Sequence, residues 1–82
     1  MQDSEIYAAL TDIFRDVFDD PGIEAKPELS AQDVPEWDSF NHINVIVAAE
    51  MRFGVKFRAS EIEGLRNVGD FVALIRKRKD AA

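Results

Sequence analysis

Ser39 follows an acid, Asp38, and precedes the chain's single histidine, His42, by three residues. Residues three apart on a helix share a face. A hydroxyl and an imidazole so placed could be imagined as nucleophile and base. The pattern offers no orienting acid and no oxyanion site, so it makes a poor active site. The same residues suit a second chemistry. Asp38 stands where a helix N-cap belongs, its carboxylate able to accept from a free N–H of the first turn. Ser39 then lies in that turn, and a phosphate on its hydroxyl would meet the positive end of the helix dipole. Asp-Ser is equally an ordinary cap pair, and His42 is either a neighbour of such a phosphate or a plain exposed histidine. Other chemistries have less support. The absence of cysteine excludes a disulfide, a thiolate nucleophile and a Cys-based zinc site. One histidine excludes an intrachain multi-histidine metal site. Asp19, Asp20 and Glu24 lack the alternation, central glycine and late glutamate of an EF-hand.

Positioning Ser39 requires a helix behind it. Phe40, Ile43, Ile46, Val47 and Phe53 recur at helical spacing, and Val45, Ala48, Ala49 and Met51 widen the apolar surface. A helix apolar most of the way round is expected to be central and buried. Gly54 is its natural stop. Ahead of it, Ile6, Leu10, Ile13, Phe14 and Val17 predict a helix from about Ser4 to Phe18, capped by Asp3 or Ser4. Asp19-Asp20-Pro21-Gly22 ends that helix. A connection then runs to Glu36, broken by Pro27 and Pro35. Ile23, Leu29 and Val34 are spaced to pin it, and Ser30–Asp33 suits one helical turn. Trp37 either closes this loop over the helix end or forms an aromatic wall and partner contact.

Beyond Gly54, Val55 and Phe57 are expected to return to the core from a short extended link. Ser60 and Glu63 have capping-box spacing and predict a short helix ending near Gly64 or Leu65. Asn67, with Asp70 three residues on, caps the last helix, whose buried face is Val68, Phe71, Val72, Leu74 and Ile75. Gly69 weakens its first turn by up to about 1 kcal/mol relative to alanine. Arg76-Lys77-Arg78-Lys79 places positive charge where the dipole favours it. The expected fold is all-α: three main helices plus one short helix, with a long loop between the first two, in a single domain spanning 1–82.

Charge divides the chain. Residues 1–38 hold eleven acids against two bases, and residues 39–82 hold five acids against eight bases. An acidic first half repels nucleic acid and favours basic protein partners. The opening residues have neither the basic flank nor the apolar run of a signal peptide, and no stretch is long enough to span a membrane. A cytoplasmic monomer without membrane insertion is expected.

Asp38-Ser39-Phe40, the amphipathic helix after it, the acidic loop before it and the short length resemble the acyl carrier protein family over nearly the whole chain. Phe40 replaces the usual leucine of the Asp-Ser-Leu motif. The resemblance implies a small helical bundle whose serine, here Ser39, carries 4′-phosphopantetheine through a phosphodiester, with Asp38 as motif and cap residue. A phosphopantetheinyl transferase would supply the arm from coenzyme A, and its thiol would hold acyl or aminoacyl groups as thioesters. Loading enzymes and condensing or acyl-transfer enzymes would do the catalysis, so the chain itself is expected not to be an enzyme. The family usually has several acids along the helix after the serine, where this chain has Glu50 alone. Partner contacts are therefore expected from Trp37, Phe40, Asn41, His42, Asn44 and Glu50, resting on shape and hydrogen bonds. This departure and the Trp-Asp-Ser sequence lean toward specialised lipid, polyketide or peptide biosynthesis. The competing reading is an unmodified helical interaction module in which Ser39 is only a cap residue.

Overall fold

The computed structural model describes residues 2–81. Its helices are α1 (Asp3–Val17), α2 (Ser39–Phe53), α3 (Ala59–Glu63) and α4 (Val68–Ala81), with a 3-10 turn at Ala31–Asp33 inside the long loop. Three main helices, one short one and no strand among the described residues match the expected all-α bundle. No helix among them is long and apolar enough to cross a membrane.

The central helix is α1, not α2 as its all-round apolarity suggested. α1 packs against both α2 and α4. Ile6, Leu10 and Phe14 are wholly excluded from solvent, with Ala9 and Ile13 beside them. Burial of each of the larger side chains, Ile6, Leu10 and Phe14, contributes about 1.5–3 kcal/mol. α2 faces this core only through Val45, Ile46, Ala49 and Phe53. Phe40, Ile43 and Val47, expected on the buried face, lie outside with Met51. The reason is geometric: a helix at the edge of a small bundle has one neighbouring face, and its second apolar stripe points to water.

The helix ends follow local chemistry, with two corrections. α1 is capped by Gln2, not Asp3 or Ser4: the Gln2 N–H donates to the Glu5 carboxylate at 3.0 Å. The Asp3 carboxylate instead accepts two hydrogen bonds from Arg76 at 2.7 and 2.8 Å, tying α1 to α4. α3 begins at Ala59 rather than after Ser60, because Glu61 accepts the Arg58 N–H at 2.9 Å and also pairs with Arg78. These two hydrogen bonds, Arg78's first, hold the Glu61 carboxyl below its usual range. Asn67 caps α4 as expected, accepting from the Asp70 N–H at 2.8 Å. Gly54 ends α2 in the left-handed region, φ 67°. The turn after α1 places its left-handed residue at Asp19, φ 51°, a residue type that tolerates it.

The long loop is tied at both ends. Ala25 donates to the Thr11 hydroxyl at 3.0 Å, and Arg15 donates to the Ile23 carbonyl at 3.0 Å. Orphan N–H groups of α4 reach the other side: Val68 donates to the Leu29 carbonyl at 2.8 Å and Gly69 to the Pro27 carbonyl at 3.0 Å. A Cβ at Gly69 would lie 3.1 Å from that same Pro27 oxygen, so a larger residue here would push the Pro27 carbonyl back by a few tenths of an ångström. Ile23 and Val34 are buried and Leu29 half-buried, as the spacing indicated. The basic run near the C-terminus is largely occupied: besides Arg76 and Arg78, Lys79 donates to the Phe53 carbonyl at 3.1 Å.

Candidate functional site

Asp38 and Ser39 occupy the start of α2 as the sequence implied. Asp38 is extended, φ −94° and ψ −177°, and its carboxylate accepts the Asn41 N–H at 2.8 Å. Its carbonyl accepts the His42 N–H at 2.8 Å, closing the first helical turn. Asn41 adds a clamp that spacing alone does not reveal. Its side-chain amide donates to the Glu36 carbonyl at 2.8 Å and accepts from Asn44 at 3.1 Å. The backbone on both sides of Ser39 is thereby fixed. Ser39 itself is exposed, and no hydrogen bond engages its hydroxyl among the described residues. The first N–H groups of a helix lack intrahelical acceptors. Asp38 takes that of Asn41, leaving those of Ser39 and Phe40 beside the hydroxyl.

Ser39 borders an open groove of about 290 Å³ lined by Ala31, Trp37, Asp38, Ser39 and His42. Behind it lies a smaller, more enclosed cavity of about 60 Å³ among α2, the 3-10 turn and the start of α4. Val45, Ile46, Leu65 and Phe71 give it apolar lining, and Ser30, Arg66 and Asn67 line it as well. Ala31, Trp37 and His42 line both spaces.

Trp37 closes the loop over the bundle. Its ring lies 5.2 Å from Phe14 and 5.5 Å from Phe18, tilted against both. Such aromatic pairs each add about 0.5–1.5 kcal/mol beyond area burial. The indole N–H donates to Nδ1 of His42 at 3.1 Å, and the two rings stack at 6.2 Å. His42 is therefore a half-buried, hydrogen-bonded group rather than a plain exposed histidine. Since Nδ1 is the acceptor, the neutral ring carries its proton on Nε2.

The other expected contact residues divide. Phe40 is 75 % exposed, in line with Ile43, Val47 and Met51 on the outer face of α2. Asn44 is exposed near them, while the half-buried Asn41 holds the loop. Glu50 is turned inward, accepting the Phe57 N–H at 2.9 Å with Lys56 4.0 Å away. The outer apolar stripe was missed by sequence reasoning. Its signal was present, since residues 40, 43, 47 and 51 repeat at helical spacing beside the separate buried set 45, 46, 49 and 53. No group of three or more potential metal-ligating side chains occurs among the described residues.

No family model matches the chain. Individual relatives do. An acyl carrier protein of Acidothermus cellulolyticus is 38 % identical over 71 residues, covering 87 % of this chain and 84 % of the relative. A meromycolate extension acyl carrier protein of Mycolicibacterium aurum is 38 % identical over 73 residues, covering 89 % and 75 %. The solution structure of a holo acyl carrier protein from Geobacter metallireducens superimposes with a TM-score of 0.86 at 44 % identity, covering 92 % of this chain and 86 % of that one. With the helix order, the Asp38-capped start of α2 and the exposed Ser39 hydroxyl, these likenesses show that the chain belongs to the acyl carrier protein family.

Proposed function

We propose that Ser39 carries the 4′-phosphopantetheine arm on which this acyl carrier protein holds its cargo. The observation that carries the reading is the Ser39 hydroxyl, exposed and unengaged at a rigidly capped helix start beside an open groove. The residues suit the group. The hydroxyl is the point of attachment, the free N–H groups and dipole of α2 favour the phosphate, and the groove gives the arm room. When bound, the arm supplies the terminal thiol that this cysteine-free chain lacks. The chain's own residues present and orient. Bond making and breaking belong to its partners: a phosphopantetheinyl transferase, a loading enzyme, and condensing or acyl-transfer enzymes.

The outer face of α2 is the surface proposed for those partners. Phe40, Ile43, Val47 and Met51 form an apolar stripe that starts one residue from Ser39, flanked by Asn44. The inward turn of Glu50 supports docking by shape and apolar contact rather than by an acidic helix. Relatives named for meromycolate extension favour a lipid chain as cargo over a polyketide or peptide. The test is incubation with coenzyme A and a broad-specificity phosphopantetheinyl transferase, followed by intact mass. Wild type should gain one phosphopantetheine and Ser39→Ala none. Equal gain by both would displace the site, and no gain would favour the unmodified interaction module.

A further inference from the structure

His42 is not accounted for by a carrier whose serine needs only a capped helix and a transferase. It shares the groove with Ser39 and lies one helical turn further along the same face. Its neutral ring is also held in one tautomer. The Trp37 indole N–H is a donor only, so the nitrogen it reaches at 3.1 Å must offer a lone pair. Trp37 is in turn fixed between Phe14 and Phe18. The remaining proton sits on Nε2, across the ring from Trp37.

We propose that His42 is a positioning residue for the phosphodiester on Ser39, donating its Nε2–H to a phosphate oxygen while Trp37 fixes the tautomer. The proposal rests on the reading of Ser39 as the attachment point. It gives the aromatic cluster a role beyond packing: the Phe14–Phe18–Trp37 stack sets the direction of a donor at the modified serine. It also links the ring to pH. Protonation puts a hydrogen on Nδ1 and removes the acceptor of the indole N–H.

Other charged groups near His42 have partners of their own. Asp38 accepts the Asn41 N–H at the start of α2. Arg66, in the link before α4, lies 3.8 Å from Asp70.

The experiment uses the holo protein, its single arm first confirmed by intact mass, beside the apo protein. Phosphorus and histidine NMR signals are followed from pH 5 to 8. A phosphodiester has no proton to exchange in that range, so any pH-dependent movement of its signal reports a neighbour. In the apo protein Nδ1 should be the unprotonated nitrogen of the neutral ring. In the holo protein the His42 ring signals should differ from those of the apo protein. The phosphorus signal should move with pH together with the His42 ring signals. His42→Gln retains an acceptor for Trp37 and a donor for the phosphate, and the fraction confirmed as loaded by mass should show a flat phosphorus signal. Trp37→Phe, in the fraction confirmed as loaded by mass, should keep the phosphorus titration and show a mixture of tautomers. A loaded wild type with a flat phosphorus signal and His42 ring signals unchanged from the apo protein would overturn the proposal and leave the reading of Ser39 standing. Failure to load would overturn both, and the mass spectrum alone tells the two failures apart.

Discussion

Ile43 and Ile46 are one turn apart on α2, are the same residue type, and were expected on one buried face. The structure separates them: Ile46 is 7 % exposed and Ile43 62 %. Truncation to alanine should therefore give opposite results. Ile46→Ala removes buried methyl and methylene groups from the α1–α2 contact and leaves a cavity, at a cost of about 2–5 kcal/mol. A chain of this length has a total stability of roughly 4–12 kcal/mol. The variant should thus lose a large fraction of it and melt at least about 8 °C below wild type, since each kcal/mol moves Tm by about 4–8 °C. Ile43→Ala removes surface already in water and should stay within about 0.5 kcal/mol. Urea and thermal unfolding followed by circular dichroism, with a common m-value, measure both. Comparable losses in the two variants would refute the assignment of the inner and outer faces of α2. With the fold intact, Ile43→Ala should weaken binding of partner enzymes, as measured by titration with the holo protein.

Asp38→Ala should destabilise the chain by about 1 kcal/mol, since it removes the acceptor of the Asn41 N–H, while Asp38→Asn should recover most of that loss; urea midpoints decide. Gly69→Ala should bring none of the roughly 1 kcal/mol that helix propensity alone predicts, because its Cβ would press on the Pro27 carbonyl. A clear rise in Tm would contradict that close approach. Glu61 has its folded pKa lowered by Arg78 and the Arg58 N–H. Its contribution is complete above its unfolded value near 4.5 and is lost as pH falls through the lower folded value. Glu61→Gln should therefore be less stable than wild type at pH 6, and the gap should close on acidification below about pH 4.5. A gap independent of pH would contradict the role of the charge pair.

What the sequence made legible was mostly local. Asp38, Gly54 and Asn67 act within a few residues of where they stand, and all three end or begin helices as their types imply. The buried stripe of α1 was clear because that helix has only one. α2 has two stripes, and periodicity cannot say which meets a neighbour; only the packing of α1 against α2 and α4 decides it. The caps at Gln2 and Arg58 were hidden for a related reason. Asp3 is drawn to Arg76 and Glu61 to Arg78, partners distant in sequence. The site shows the same division. Ser39 and its cap follow from adjacent residues. The Trp37–His42 hydrogen bond depends on a ring that Phe14 and Phe18 hold from another helix. The inward turn of Glu50 depends on where the link after Gly54 passes.

The central claim concerns one of four serines, Ser4, Ser30, Ser39 and Ser60. Fragmentation mass spectrometry of the transferase-treated protein tests it most directly. The account predicts that phosphopantetheine maps to the fragment containing Ser39 and to no other. An arm on Ser4, Ser30 or Ser60, or a Ser39→Ala chain modified as fully as wild type, would contradict it.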